Sequence, residues 1–395
     1  MKELAINGGT PVRQTMINYG HQWIDDSDIQ SVENVLKGDW LTTGPNVPLF
    51  EKAVADFIGV KEAVAVNSGT AALHAATYAA EIKPGDEVIV TPLSFVASAN
   101  CILFMGGIPV FADISPDTMN IDPSEIEKQI TPKTKAIVVV DFAGLPCDHD
   151  KISEIAKKHN LIVIEDAAHA LGATYHKKKI GVLQELTTFS FHPVKLITTA
   201  EGGMVVTNNS SLAAKIRSFR NHGIDIDFHK RAESNLWLYD VVTLGYNFRL
   251  SDISCALGIS QLNKLDQWLS RRRYIAERYT QAFSEIHEFS IPRVGMNCQH
   301  AWHLYVIQLN LDQLKVGRKE IFQALRAERI GVNVHYIPIP WLTLYQKLGY
   351  EKGNWPVAEG VYERMISLPI FPAMNDRDIQ DVIEAVKKVI GYYKK

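Results

Sequence analysis

Apolar and polar positions along this chain follow two rhythms. Short continuous apolar runs at 63–66, 87–91, 109–111, 136–140, 161–165, 186–191 and 204–207 are rich in β-branched and aromatic residues and predict strands. Between them, spacing near 3.6 residues predicts helices at 69–80, 94–104, 123–130 and 150–159. Apolar strands separated by helices imply a mostly parallel sheet covered on both faces. Ligands on such sheets gather at the carboxyl ends of the strands, where Ser68 and Asp166 fall. Ahead of this region, Asp25-Asp26-Ser27-Asp28 offers caps for a helix carrying Ile29, Val32, Val35 and Leu36. The stretch 38–45 then breaks it in a glycine- and proline-bounded loop. Beyond 206 the pattern predicts one long amphipathic helix over 252–273, then strands at 302–309 and 332–336 and helices at 318–328 and 376–390. The expected organisation is an N-terminal arm and large domain over 1–255, followed by a bridging helix and a small α+β domain over 256–395.

A chain of 395 residues exceeds one ordinary core, which suits that division. With 46% hydrophobic and 22% charged residues it reads as a soluble globular protein. A net charge of -3 predicts affinity for neither nucleic acid nor an acidic membrane surface. No apolar run reaches the roughly 18 to 20 residues of a membrane span, and the start lacks the apolar core of a signal peptide. The four cysteines are widely spaced, so reduced thiols and a cytoplasmic location are expected.

Three pieces carry chemistry. The loop between the strands at 186–191 and 204–207 presents Lys195, and Glu201-Gly202-Gly203 closes its turn. Asp166 ends the strand at 161–165. Asn67-Ser68-Gly69-Thr70 places hydroxyls and a glycine at a helix start. Taken singly each is ordinary: a solvated lysine, an N-capping aspartate, a serine cap. Together they supply an amine for a Schiff base, a carboxylate for a pyridine nitrogen and a helix N-terminus for a phosphate, which is what pyridoxal 5'-phosphate (PLP) requires.

With these residues the chain resembles the fold-type I, PLP-dependent sugar aminotransferases of the DegT/StrS family, with an aspartate-aminotransferase-like fold. The likeness spans nearly the whole chain and is most specific over Ser190-Phe-His-Pro-Val-Lys-Leu-Ile-Thr-Thr-Ala-Glu-Gly-Gly203. The resemblance implies that Lys195 binds the cofactor covalently and shuttles a proton, and that Asp166 faces the pyridinium. It further implies that His169 bonds the phenolic oxygen and that Phe95 stacks on the ring. Ser68, Gly69, Thr70 and Ser190 would hold the phosphate, and Asn247 would reach the phosphate of a neighbouring subunit, making a homodimer with shared sites. Tyr19, Leu41, Thr42, Asn333, His335 and Tyr336 would border the nucleotide-sugar. A lysine at 195, where certain relatives that dehydrate sugars carry histidine, favours amino transfer.

The Ile-Thr-Thr-Ala-Glu-Gly-Gly run resembles members acting at sugar C-4. The resemblance therefore implies L-glutamate as donor and UDP-2-acetamido-2,6-dideoxy-β-L-arabino-hex-4-ulose as acceptor, toward pseudaminic acid. Rival readings are another 4-keto sugar nucleotide (bacillosamine, 4-amino-arabinose or perosamine type), sugar dehydration, and a regulatory relative without catalysis. Cys298, His300 and His303 have metal-ligating types but lack a fourth ligand at a recognised spacing, so no metal is expected. Arg271-Arg272-Arg273 reads as a solvated helix face. No dinucleotide, Walker or Gly-x-Ser-x-Gly motif occurs.

Overall fold

The computed structural model describes residues 3–225 and 237–395. Nine strands come from residues 62–207: β1 (Glu62–Val66), β2 (Glu87–Val90), β3 (Ile108–Phe111), β4 (Thr134–Val140), β5 (Ile162–Asp166), β6 (Thr174–Tyr175), β7 (Lys178–Lys179), β8 (Leu186–Ser190) and β9 (Gly203–Thr207). Seven of them build one sheet in the order β1-β9-β8-β5-β4-β2-β3. Only β9 runs against its neighbours; every other adjacent pair is parallel. A short loop joins β8 to β9, so β9 returns antiparallel, whereas the parallel strands need helical crossovers.

Strand alternation separates two cores. Val64, Val66, Ile164 and Val205 pack into one layer, with the helices Gly69–Ala79 and Ala97–Phe104. Ala63, Ala65, Phe189 and Met204 point the other way, and so does Val163, beneath the helix His149–His159. Asp166 therefore shares a face with Ile164, while Glu165 shares one with Val163.

The smaller unit holds a three-stranded antiparallel sheet of β10 (Phe289–Ser290), β12 (Tyr305–Leu309) and β13 (Met365–Leu368). The helices Arg318–Ala327 and Asp376–Tyr393 cover it, and Leu4 and Ile17 of the N-terminal arm enter its core. A third small sheet pairs β11 (Cys298–Gln299) with β6 and β7. No helix among the described residues is long and apolar enough to cross a membrane.

Four expectations fail locally. Arg272, read as part of a solvated helix face, is buried and donates to the carbonyls of Trp302 and Ile370. The helix expected over 252–273 is two, Asp252–Leu262 and Leu265–Phe283, interrupted where Lys264 is drawn into ion pairs of 2.8 Å with Asp25 and Asp28. The strand expected over 332–336 reduces to one bridge between Asn333 and Ser367, beyond which the chain runs on toward Pro338. The loop ending at Pro45 opens directly into an unforeseen helix, Asn46–Ile58.

Candidate active site

The site assembles where β1, β8 and β9 meet. Ser68 is extended (φ -165°, ψ 162°) and its Oγ accepts from the Ala71 amide at 3.0 Å, starting the helix Gly69–Ala79. The first-turn amides of that helix have no intrahelical acceptor and form a natural anion seat. Glycine is required beside it. A Cβ on Gly69 would meet Ser190 Cβ at 2.8 Å, and one on Gly203 would meet the Ser68 carbonyl oxygen at 2.4 Å. Register explains the convergence, since Gly203 lies opposite both Val66 and Ser190.

Asp166, the last residue of β5, is buried. Its Oδ2 accepts from Ser98 Oγ at 2.6 Å and its Oδ1 from the Ala168 amide at 3.2 Å. Burial pushes its carboxyl above the ordinary range, opposed by the Ser98 and Ala168 hydrogen bonds and the positive charge of Lys195. Lys195 stands on the β8–β9 loop, where its amide donates to the His192 carbonyl at 2.8 Å and the Thr199 amide donates to the Phe191 carbonyl at 3.0 Å. Desolvation lowers its amine to about 8, with the Asp166 charge opposing. The neutral amine is thus within reach near physiological pH.

His169 has a defined tautomer. Its Nδ1 accepts from the Ala143 amide at 3.2 Å, so in the neutral ring Nε2 carries the hydrogen and lies 3.2 Å from the Tyr336 hydroxyl. Burial, reinforced by Lys195, holds its pKa well below the usual histidine value. Opposite stand Tyr19 and His335, ring centroids 5.0 Å apart. His335 Nδ1 is bonded to Ser367 Oγ at 2.9 Å, and its Nε2 lies 3.2 Å from Asn333 Nδ2. Phe95 sits at the rim, 55% exposed, its ring 6.0 Å from that of Tyr336.

One cavity of about 470 Å³ gathers these groups: Ser68, Gly69, Thr70 and Ser190 at one end, Asp166, His169, Lys195 and Phe95, then Tyr19, Asn333, His335 and Tyr336. Three expected residues lie outside the cavity of their own chain. Leu41 and Thr42 are exposed, tied to the start of the helix Asp252–Leu262 through the Asp252 amide and a bridge to Ser251. The Asp252 carboxylate also takes the amides of Gly44 and Asn46, pinning this segment away from the cavity. Asn247 is exposed as well and bridges Asn221.

The donor set fits PLP: a lysine of lowered basicity, a buried carboxylate, a neutral imidazole N–H and a glycine-lined helix start occupy one cavity. Residues 22–387 match the DegT/DnrJ/EryC1/StrS aminotransferase family. The chain belongs to this family. It is 45% identical over 381 residues to the spore coat polysaccharide biosynthesis protein SpsC of Bacillus subtilis, covering 96% of this chain and 98% of that protein. It is 42% identical over 383 residues to the UDP-4-amino-4,6-dideoxy-N-acetyl-β-L-altrosamine transaminase of Campylobacter jejuni, covering 96% and 99%. Among solved structures, Helicobacter pylori PseC, an aminotransferase of pseudaminic acid biosynthesis, superposes with a TM-score of 0.90 at 37% identity, covering 96% of this chain and all of that one. The protein is a PLP-dependent sugar aminotransferase of fold type I.

Within this DegT/StrS enzyme the cavity also holds Ser94, Thr188, Glu201 and His303, which the sequence did not single out as site residues. Ser98 lies behind them, bonded to Asp166 and to Ser94 Oγ at 2.8 Å. Ser94 and Ser98, four residues apart, flank Phe95. His303 attracted notice only as a metal-type residue, yet its ring packs 4.3 Å from that of His169.

Proposed function

We propose that this enzyme transfers the amino group of L-glutamate to C-4 of UDP-2-acetamido-2,6-dideoxy-β-L-arabino-hex-4-ulose. The observation carrying the reading is near end-to-end similarity to the C. jejuni transaminase, together with the superposition on H. pylori PseC. PLP supplies the electron sink that stabilises a carbanion next to nitrogen. Lys195 would hold it through Nζ, and its lowered basicity lets the free amine take up or give up a proton at that atom. Asp166 keeps the pyridine nitrogen protonated, and Ser98 fixes the carboxylate by donating to it. His169 offers its Nε2–H to the phenolic oxygen. Phe95 covers one ring face, and Ser68, Gly69, Thr70 and Ser190 take the phosphate. Tyr19, Asn333, His335 and Tyr336 orient the sugar nucleotide.

The working unit is a cytoplasmic homodimer in which Asn247, Leu41 and Thr42 serve the partner's cavity. Their exposure supports this, as does a run of bared apolar side chains: Trp237 is 85% exposed and Leu244 80%.

A second reading keeps the chemistry and changes the acceptor to another 4-keto sugar nucleotide. The 45% identity to SpsC, a protein of spore coat polysaccharide biosynthesis, favours giving it a test. Purified enzyme, glutamate and two UDP-4-keto-6-deoxy-HexNAc epimers differing at C-5 distinguish the two, with products identified by NMR. Amination of the β-L-arabino epimer alone is expected. Amination of only the xylo epimer would redirect the acceptor toward bacillosamine-type sugars, and amination of neither would reject the substrate class.

A further inference from the structure

We propose that Asp141, His149 and Glu165 form a buried divalent-cation site of the zinc class, on the face of the sheet opposite the cofactor cavity. Asp141 follows β4, Glu165 is the penultimate residue of β5 and His149 opens the helix His149–His159. All three are sealed from solvent, at 0, 0 and 2% exposure.

The outward polar atoms of the three are satisfied. Asp141 Oδ1 accepts from the Cys147 amide at 2.8 Å, Glu165 Oε2 accepts from Thr187 Oγ1 at 2.6 Å, and the Gln184 side-chain amide lies 3.0 Å from His149 Nδ1, where its oxygen, turned to that atom, takes the Nδ1 hydrogen and leaves Nε2 bare. One atom of each side chain is left without a hydrogen bond: Asp141 Oδ2, Glu165 Oε1 and His149 Nε2. The three side chains can each turn a ligand atom inward, all within 4.8 Å of one another. Supporting bonds behind each ligand, with bare ligand atoms in front, are the usual construction of a metal site.

The spacings agree with a shared ion. His149 Nε2 lies 2.9 Å from Glu165 Oε1 and 3.4 Å from Asp141 Oδ1, the oxygen that also accepts from the Cys147 amide, so Asp141 would present Oδ1 or its bare Oδ2 to the ion. Two atoms each about 2.1 Å from a common ion stand about 3.0 Å apart at a right angle and about 3.4 Å apart at the tetrahedral angle. An N–H aimed along the bond to such an ion would point at neither oxygen.

Charge leads to the same place. Among the described residues neither carboxylate is paired with lysine or arginine; each has only His149. Even with a protonated imidazole, the cluster would bury a net negative charge. A dication with neutral imidazole makes the set neutral, which a solvent-free location favours. One imidazole and two carboxylates suit zinc, manganese or ferrous iron, and the nitrogen ligand disfavours magnesium and calcium. The ion would tie β4, β5 and the helix together one residue from Asp166. The site is structural, apart from the transamination chemistry.

The test uses untagged full-length enzyme, loaded with PLP and produced in media supplemented with zinc, manganese or iron, then washed with chelator. Elemental analysis should find about one equivalent of one of these metals, since an enclosed structural ion resists stripping. His149→Gln should fall below roughly a tenth of an equivalent. Anomalous diffraction from wild-type crystals should place the ion among the three side chains, so the result does not depend on the variant folding. Wild-type enzyme that is folded, retains bound PLP and is metal-free from all three media would overturn the proposal and leave an imidazolium held between two carboxylates. An anomalous peak at any other place would overturn it equally.

Discussion

Glu165 and Asp166 are adjacent in sequence and live in opposite surroundings. Both are buried carboxylates, and both stand near the carboxyl end of the central strand β5. Alternation of side chains sends one to each face of the sheet. Asp166 looks into a cavity of about 470 Å³ beside a lysine. Burial raises its carboxyl, and Ser98 and Ala168 only partly oppose that. Glu165 looks into a closed cluster in which, without an ion, burial raises its carboxyl but the charge and hydrogen bond of His149 outweigh that and hold it below the ordinary range. One strand end thus carries a working carboxylate and a structural one. What separates them is the room in front of each, since both are buried.

The contrast can be broken by substitution. The largest effect belongs to the cavity side: Lys195→Ala should lower kcat by roughly 10⁴-fold or more while PLP is still held without a covalent bond. Full activity in steady-state assays would remove Lys195 from its role. Asp166→Asn comes next, with a loss of about 3–5 kcal/mol in transition-state stabilisation, or roughly two to nearly four powers of ten in kcat. Glu165→Gln should cost about as much, but in unfolding free energy by denaturant titration. If Glu165→Gln lost turnover at unchanged stability, the division between the two faces would be wrong.

Two finer measurements sharpen the comparison. Ser98→Ala removes a hydrogen bond to a charged oxygen worth about 1.5–3 kcal/mol. Because that bond lowers the Asp166 pKa, its loss should move the acidic limb of the pH–rate profile to higher pH. The smallest effect is kinetic. The neutral amine of Lys195 captures PLP, and its pKa is lowered to about 8. Capture by the cofactor-free enzyme should rise about tenfold per pH unit below that value and level off above it. An unperturbed lysine would keep rising to about pH 10.4.

Much of the cavity was legible from residues at strand and helix ends, where local pattern fixes position. Asp166 ends an apolar run, Ser68 precedes a helix, and Lys195 stands between two strands; all three occupy one cavity. Ser98 escaped notice because a serine within a small-residue helix acquires meaning only from the carboxylate that folding brings to it. Of Asp141, His149 and Glu165 only Glu165 fell within an expected element, the end of the strand over 161–165, and the meeting of the three is wholly tertiary. The helix Asn46–Ile58 was hidden by Gly44 and Pro45, although Pro45 immediately precedes it and Pro48 falls in its first turn, where proline is tolerated. Leu41, Thr42 and Asn247 lie outside the cavity of their own chain.

The single reversed strand also governs when the site can come into being. β9 pairs with β1 through residues such as Val66 and Gly203, more than a hundred positions apart, and this pairing sets the helix start at Ser68 against the loop carrying Lys195. Closing so long a segment is slow compared with forming local hairpins or helices. A growing polypeptide that has not yet emerged past Thr207 has nowhere to seat the cofactor, however complete its earlier strands. Vitamin capture should therefore lag behind secondary-structure formation during refolding, and the colour of the bound cofactor would time the last long-range closure of the sheet.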